Sequence, residues 1–211
     1  MKKLLLLNVL CCLSVLGMAQ QKGEWRARIR ATAVIPEASA DITTIGGSAD
    51  ISSTVIPEID FTYFLFDRVS ANLILGTTKH KVTATGTALG DVDLGKVWLL
   101  PPTLTFLYHQ PLGKGILPYA GAGVNYTIFY GEKTGPAIAD ISYKNNFGFA
   151  TQLGVDIDIT QKWFINVDAK KIWLKTENTV TTVPEVAGGA TVYADTKINP
   201  WLLSVGIGFK F

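Results

Sequence analysis

The sequence predicts an all-β protein, an eight-stranded antiparallel transmembrane β-barrel with short periplasmic turns and longer extracellular loops. Three observations carry this expectation. The chain opens on an export leader, apolar residues then alternate with small or polar ones over eight segments, and the connections between those segments alternate between short and long. Among 211 residues, 48% are hydrophobic and only 17% are charged. Soluble domains average about 25% charged residues, so a disordered chain and a strongly charged nucleic-acid binder are both disfavoured.

The leader comes first. Lys2 and Lys3 form a positive start, Leu4 to Leu16 is an apolar run broken by Asn8 and Ser14, and Gly17-Met18-Ala19 supplies small residues for cleavage before Gln20. A run of about 13 residues is too short for a bilayer-spanning helix, which needs roughly 20. Residues 1–19 are therefore expected to be a cleaved signal peptide and 20–211 a single outer-membrane barrel domain. Both cysteines, Cys11 and Cys12, fall in the leader, and bulky Leu10 before Cys11 argues against lipidation. The mature chain is then expected to be exported without a disulfide. Removing Lys2 and Lys3 from 19 basic residues leaves 17, against 17 acidic ones. A near-neutral chain has no net field with which to recruit nucleic acid.

The strands follow in order. Trp25, Ala27, Ile29, Ala31 and Ala33 alternate with Arg26, Arg28, Arg30 and Thr32. Ile59, Phe61, Tyr63 and Leu65 alternate with Glu58, Asp60, Thr62 and Phe64. The same period recurs over 71–76, 103–109, 120–128, 148–158 and 163–170, and it is clearest in Trp201, Leu203, Val205, Ile207, Phe209 and Phe211. Period two with one apolar and one small or polar face means a strand between two different solvents. Residues 66–68, 110–115 and 160–162 read as tight connections, and 36–54, 82–95, 131–146 and 176–196 as long loops rich in Gly, Thr, Ser, Ala and Asp. A soluble barrel would turn its apolar face inward. Here glycines share a face with the charges, and aromatics such as Trp25, Tyr63, Trp163, Trp173, Trp201 and Phe209 suit the two membrane interfaces.

The polar face supplies the candidate site. By register Arg26, Arg28, Arg30, Glu58, Asp60, Asp156, Asp158, Asp168 and Lys170 project into the lumen. Unpaired guanidinium groups there would be costly, so an Arg–carboxylate network is expected. It either fills the barrel as a structural plug or forms a charged constriction that gates solutes. The plug is favoured, because eight strands leave an interior just wide enough for side chains. Pro101 and Pro102 interrupt a strand, since proline gives no donor to a ladder. They mark either a side gap in the wall or a plain bulge at a strand start, the bulge being favoured, and Pro57 and Pro200 lie comparably near outer strand ends. His80 and His109 belong to opposite ends, and no Ser-His-acid arrangement assembles around them, so no enzyme, metal or other cofactor is expected. Asn125-Tyr126-Thr127 matches a glycosylation sequon but falls inside a strand.

Several stretches, taken together, resemble the OmpW family: Pro57-Glu58, Leu100-Pro101-Pro102-Thr103-Leu104, Tyr108-His109, the run from Pro118 to Thr127, Phe147-Gly148 to Val155-Asp156, Lys162 to Asp168, and Asn199-Pro200-Trp201 to Phe211. Lys79 stands before His80 where the family pattern has a proline, and the long loops match less well. The resemblance implies an outer-membrane barrel with a narrow apolar channel that admits small hydrophobic molecules passively. It also implies lateral exit through the wall, near Pro101 and Pro102, above a polar plug. The alternative is a non-conducting structural or surface-recognition barrel. The expected partners are outer-membrane lipid, small hydrophobic solutes and the barrel assembly machinery, for which the terminal Phe211 looks like the signal.

Overall fold

The computed structural model describes residues 22–42 and 46–211. The leader, with Cys11 and Cys12, lies outside the described residues. Fifteen strands follow: β1 (Trp25–Ile35), β2 (Ser39–Ile42), β3 (Ser48–Ile51), β4 (Thr54–Phe66), β5 (Val69–Gly76), β6 (Thr78–Thr87), β7 (Gly90–Leu100), β8 (Thr103–His109), β9 (Ile116–Thr134), β10 (Ile138–Tyr143), β11 (Asn146–Asp158), β12 (Trp163–Trp173), β13 (Lys175–Thr182), β14 (Thr191–Lys197) and β15 (Trp201–Lys210).

Eight of them close a ring, β1-β4-β5-β8-β9-β11-β12-β15 and back to β1, with every neighbour antiparallel. Closure leaves no free edge, which is what lets a sheet lie in lipid with its N–H and C=O groups paired. The faces follow the alternation. Ile29, Phe61, Leu73, Phe106, Val124, Leu153, Val205 and Ile207 are exposed on the outside, whereas Arg26, Arg28, Asp60 and Asp156 are almost wholly buried within. This is the reverse of a soluble barrel. Glycines make room for the large inward side chains. On β15, Gly208 sits opposite Arg28, and a Cβ there would stand 2.1 Å from the Phe164 ring.

The long connections are a correction to the sequence reading. They are mostly strand. The β6–β7 hairpin rises above β5 and β8, β3 adds to β6, and the upper half of the 19-residue β9 pairs with β7. A second, four-stranded sheet, β10-β13-β14-β2, forms another part of the raised wall. The reason is visible in β13, where Thr176, Asn178 and Thr182 are buried and Lys175 and Glu177 exposed. The period of two is present, but threonine and small residues carry its inward face, and their composition alone reads as loop. The connections at the opposite end, such as Phe66 to Val69, stay tight.

Candidate functional site

The three arginines of β1 face inward at every second position and meet carboxylates from three other strands. Arg26 Nη1 lies 2.8 Å from Asp156, and Arg28 reaches Asp60 at 2.7 Å and Asp156 at 2.9 Å. Arg30 reaches Glu58 at 2.7 Å, Asp60 at 2.9 Å and Asp168 at 3.5 Å. Lys170 Nζ closes the set, 3.0 Å from both Glu58 and Asp168. The buried network thus places four cations against four anions, and partly exposed Glu24 adds a carboxylate on Arg26 Nε at 2.7 Å at its lower end. Buried ions are tolerable on that condition when their remaining hydrogen-bonding capacity is met; Arg30 Nε is an exception, buried without a hydrogen-bond partner among the described residues.

All eight of these sequence-predicted residues come together. Asp158 does not join them: it lies at the lower rim, where it pairs with Lys210 at 2.7 Å. Several neutral partners were missed. Tyr119 donates to Asp168 at 2.7 Å, Asn166 to Asp156 at 2.8 Å, Gln152 to Asp168 at 2.7 Å and Asn72 to Asp60 at 2.7 Å. Extending the β9 alternation one residue before Ala120 would have found Tyr119. Below the ions, Phe64 and Phe164 are fully buried, with the Arg26 guanidinium 4.9 and 5.3 Å from their ring centres. The lower lumen is a filled core.

Above Glu58 and Lys170 the lining changes. Val34, Ile56, Ile74, Leu99, Ile172, Leu174 and Leu202 line a space of about 610 Å³ that is partly open to solvent. His80 also lines the next space up, among Val82, Val97 and Phe129. Asn178 is shared in turn with an outer cavity of about 630 Å³ walled by Ala84, Val92, Ile138, Val180 and Val192. The upper lumen is therefore a succession of apolar spaces resting on a charged floor.

The wall beside the lowest space is interrupted twice. The β5–β8 ladder ends at Ile74↔Thr103 and the β6–β7 ladder begins at Thr78↔Leu99, leaving Leu75, Gly76 and Thr77 opposite Pro102, Pro101 and Leu100. On their other side the prolines are held to β9, where the Tyr126 N–H donates to Pro102 O at 3.0 Å and Asn125 Nδ2 to Pro101 O at 3.1 Å. Asn125 is buried and spends its amide here, so the sequon is not an accessible acceptor. The second interruption is wider. The β4–β5 ladder ends at Glu58↔Gly76, and the next backbone bond across, Ser52 N–H to Lys81 O, opens the β3–β6 ladder. Among the described residues, no ladder joins 53–57 to 77–80. The registers explain this, because paired numbers sum to 134 below and 133 above, and Pro57 offers no N–H.

The OmpW family model matches residues 21–211. The chain belongs to the OmpW family. It is 39% identical over 196 residues to the outer-membrane protein y4mB of Sinorhizobium fredii, covering 92% of this chain and 83% of that one. It is 33% identical over 197 residues to the dibenzothiophene metabolism operon protein PahQ of Pseudomonas aeruginosa, covering 90% of each. The crystal structure of the outer membrane protein OprG from Pseudomonas aeruginosa superposes with a TM-score of 0.83 at 26% identity, covering 92% of this chain and 98% of that one. This OmpW-family chain is an outer-membrane barrel set in lipid.

In this OmpW-family barrel the two histidines serve different ends. His109 is buried near the floor, hydrogen-bonded to Ser70 at 2.8 Å and packed against Phe64. His80 lines the apolar spaces and bridges the wider wall interruption, through Nδ1 to Ser52 O. At the lower rim the Phe211 N–H donates to Trp25 O at 2.9 Å, and its ring meets Phe209 edge-on.

Proposed function

We propose that this barrel is a passive conduit for small hydrophobic molecules, which enter the apolar lumen from outside and leave sideways into the membrane through the wall. One observation carries the reading: the apolar space ends on a packed, internally paired ion network at the height where the wall loses its ladder on one side of 75–77 and on the other side of 77–80. A solute arriving there meets a charged floor below and an unlatched apolar wall beside it. Partition drives the uptake. Withdrawing about 200 Å² of apolar surface from water is worth about 5 kcal/mol at ~25 cal/mol per Å². No cofactor, energy source or bond-making step is needed. The name of PahQ, which ties that relative to metabolism of an apolar aromatic compound, supports the same solute class.

Uptake into proteoliposomes tests this, using a hydrophobic probe beside a polar sugar of similar size. Faster passage of the probe alone is expected; passage of neither supports the non-conducting alternative. A second arm uses Pro57→Cys with Thr77→Cys, positions opposite one another when the β4–β5 register is extended. The sequence's own cysteines lie only at 11 and 12. Oxidation should stop probe uptake and reduction restore it. Unchanged uptake with the bond formed would remove the lateral route. Phe211, in this reading, is also the assembly signal. Its deletion should lower the outer-membrane fraction of the protein in cell fractionation, and full insertion without it would end that assignment.

A further inference from the structure

The outside of the raised wall carries a charge pattern that the conduit does not use. On β6, Lys79 stands opposite Trp98 of β7, and Lys81 opposite Lys96; Lys96 stands in turn opposite Lys133 of β9, and Trp98 opposite Tyr130. Three lysines therefore lie in one row across three strands, on the exposed face. Lys79 and Lys133 also flank one indole, their Nζ atoms 4.3 and 5.7 Å from the Trp98 ring centre. Like charges directly opposite destabilise a sheet. Asp93 pairs with Lys81 at 2.9 Å and accepts the Gly95 N–H at 2.9 Å, and Asp50 of β3, opposite Thr83, stands diagonally from Lys81. The Lys81 hydrogen bond, helped by that N–H and by the charge of Lys96, holds the Asp93 carboxyl below the usual range. Among the described residues Lys79, Lys96 and Lys133 have no carboxylate within 4.0 Å. Glu132, next to Lys133, belongs by alternation to the opposite face of β9.

The rest of the rim is balanced. Lys171 pairs with Glu37, and Lys144 with Glu177 at 3.2 Å. The Lys175↔Lys197 pair is followed on the same two strands by Glu177↔Asp195, so opposite charges meet diagonally. Among the described residues of the rim, the β6–β7–β9 face keeps Lys79, Lys96 and Lys133 without an ion-pair partner, beside the paired Lys81.

Its height identifies the partner. Tyr108, Phe106, Leu104 and Leu100 form the lipid-facing row below Trp98. Ten residues separate Tyr108 from Trp98. At ~3.3 Å each and a tilt of about 40° they climb about 25 Å, the height of an outer-membrane apolar band. Trp98 and Tyr130 are then the upper aromatic girdle, and the lysine row one step above lies where lipid phosphates are. We propose that this face binds the phosphate of an outer-leaflet lipid headgroup, with Lys96 and Lys133 as its main ligands, Lys79 and Lys81 flanking them, and Trp98 beneath. Lys79 lies on the 77–80 stretch, which is laddered to β7 but not to 53–57, so the bound lipid would stand beside the wider wall interruption. The proposal is independent of the uptake reading.

The test uses the whole barrel in nonionic detergent, titrated with lipopolysaccharide, with the same glycolipid after its phosphates are removed, and with inorganic phosphate. Binding is read by native mass spectrometry and by the shift in Tm. Phosphorylated glycolipid should bind and raise Tm, and the other two should not. Lys96→Gln with Lys133→Gln should weaken binding about thirtyfold, at roughly fivefold per surface lysine. Lys175→Gln with Lys197→Gln should leave it unchanged. Without lipid, the first double variant should melt no lower than the wild type, because it loses a repulsive row; this separates ligand loss from misfolding. Equal binding by the two double variants, binding indifferent to phosphate removal, or equal protection by inorganic phosphate would overturn the proposal.

Discussion

The lumen has two halves built on the same strands, and they use opposite chemistry. Below Glu58 and Lys170 the inward positions are filled by paired ions, their neutral hydrogen-bond partners and the Phe64 and Phe164 rings. Above them the lumen is lined mainly by apolar side chains with a few threonines and His80 among them, and it encloses space that is partly open to solvent. The backbone pattern is the same in both, with alternate residues in and out. What differs is how each half meets the cost of its contents. A narrow barrel cannot admit water freely to its centre, so ions below must match one another and every donor needs an acceptor. The apolar half needs neither, so it can stay open, and the wall around it can lose ladder bonds without exposing a charge to lipid. A filled half gives rigidity, and an open half gives room for a guest.

The comparison can be broken most severely in the filled half. Arg28→Ala would leave Asp60 and Asp156 buried without their shared cation. A loss of about 3–5 kcal/mol is expected in thermal or denaturant unfolding from detergent, and an unchanged melting curve would mean that the network is not holding the barrel together. Overpacking comes next. Gly208→Leu forces a side chain into the Phe164 ring, 2.1 Å from where its Cβ would stand, and should cost about 1–3 kcal/mol in the same assay. The smallest effect on stability is expected in the open half. Pro101→Ala with Pro102→Ala restores two N–H groups, of which strand alternation aims one at 75–77, so a ladder bond can form there. Stability should change by less than about 1 kcal/mol, while uptake of a hydrophobic probe falls several-fold if that side is the exit. Uptake untouched by this double variant, yet stopped by the 57–77 cross-link, would assign the exit to the wider interruption.

Much of this could be read from the chain before any coordinates. The eight barrel strands were legible because lipid and lumen impose different solvents on alternate residues, as Trp201 to Phe211 show most plainly. The inward set from Arg26 to Lys170 was legible for the same reason. Tyr119 lies one residue before the clear β9 alternation from Ala120, so the local period of that run does not mark it. The outer strands are not legible because threonine serves both loops and half-polar strand faces, and Val180 is the one apolar residue on the inward face of β13. Pro101 and Pro102 flagged one wall interruption, but the wider one has only Pro57 as a local mark.

The sequence by itself determined which side chains face which solvent, since that follows from local period and needs no knowledge of neighbours. Only the tertiary structure decided which ion meets which. Arg28 and Asp156 are 128 residues apart in the chain, and nothing local selects that pair over Arg28 with Asp168. It also decided where the wall opens, because a gap arises from the mismatch of two ladder registers, and register is a relation between strands.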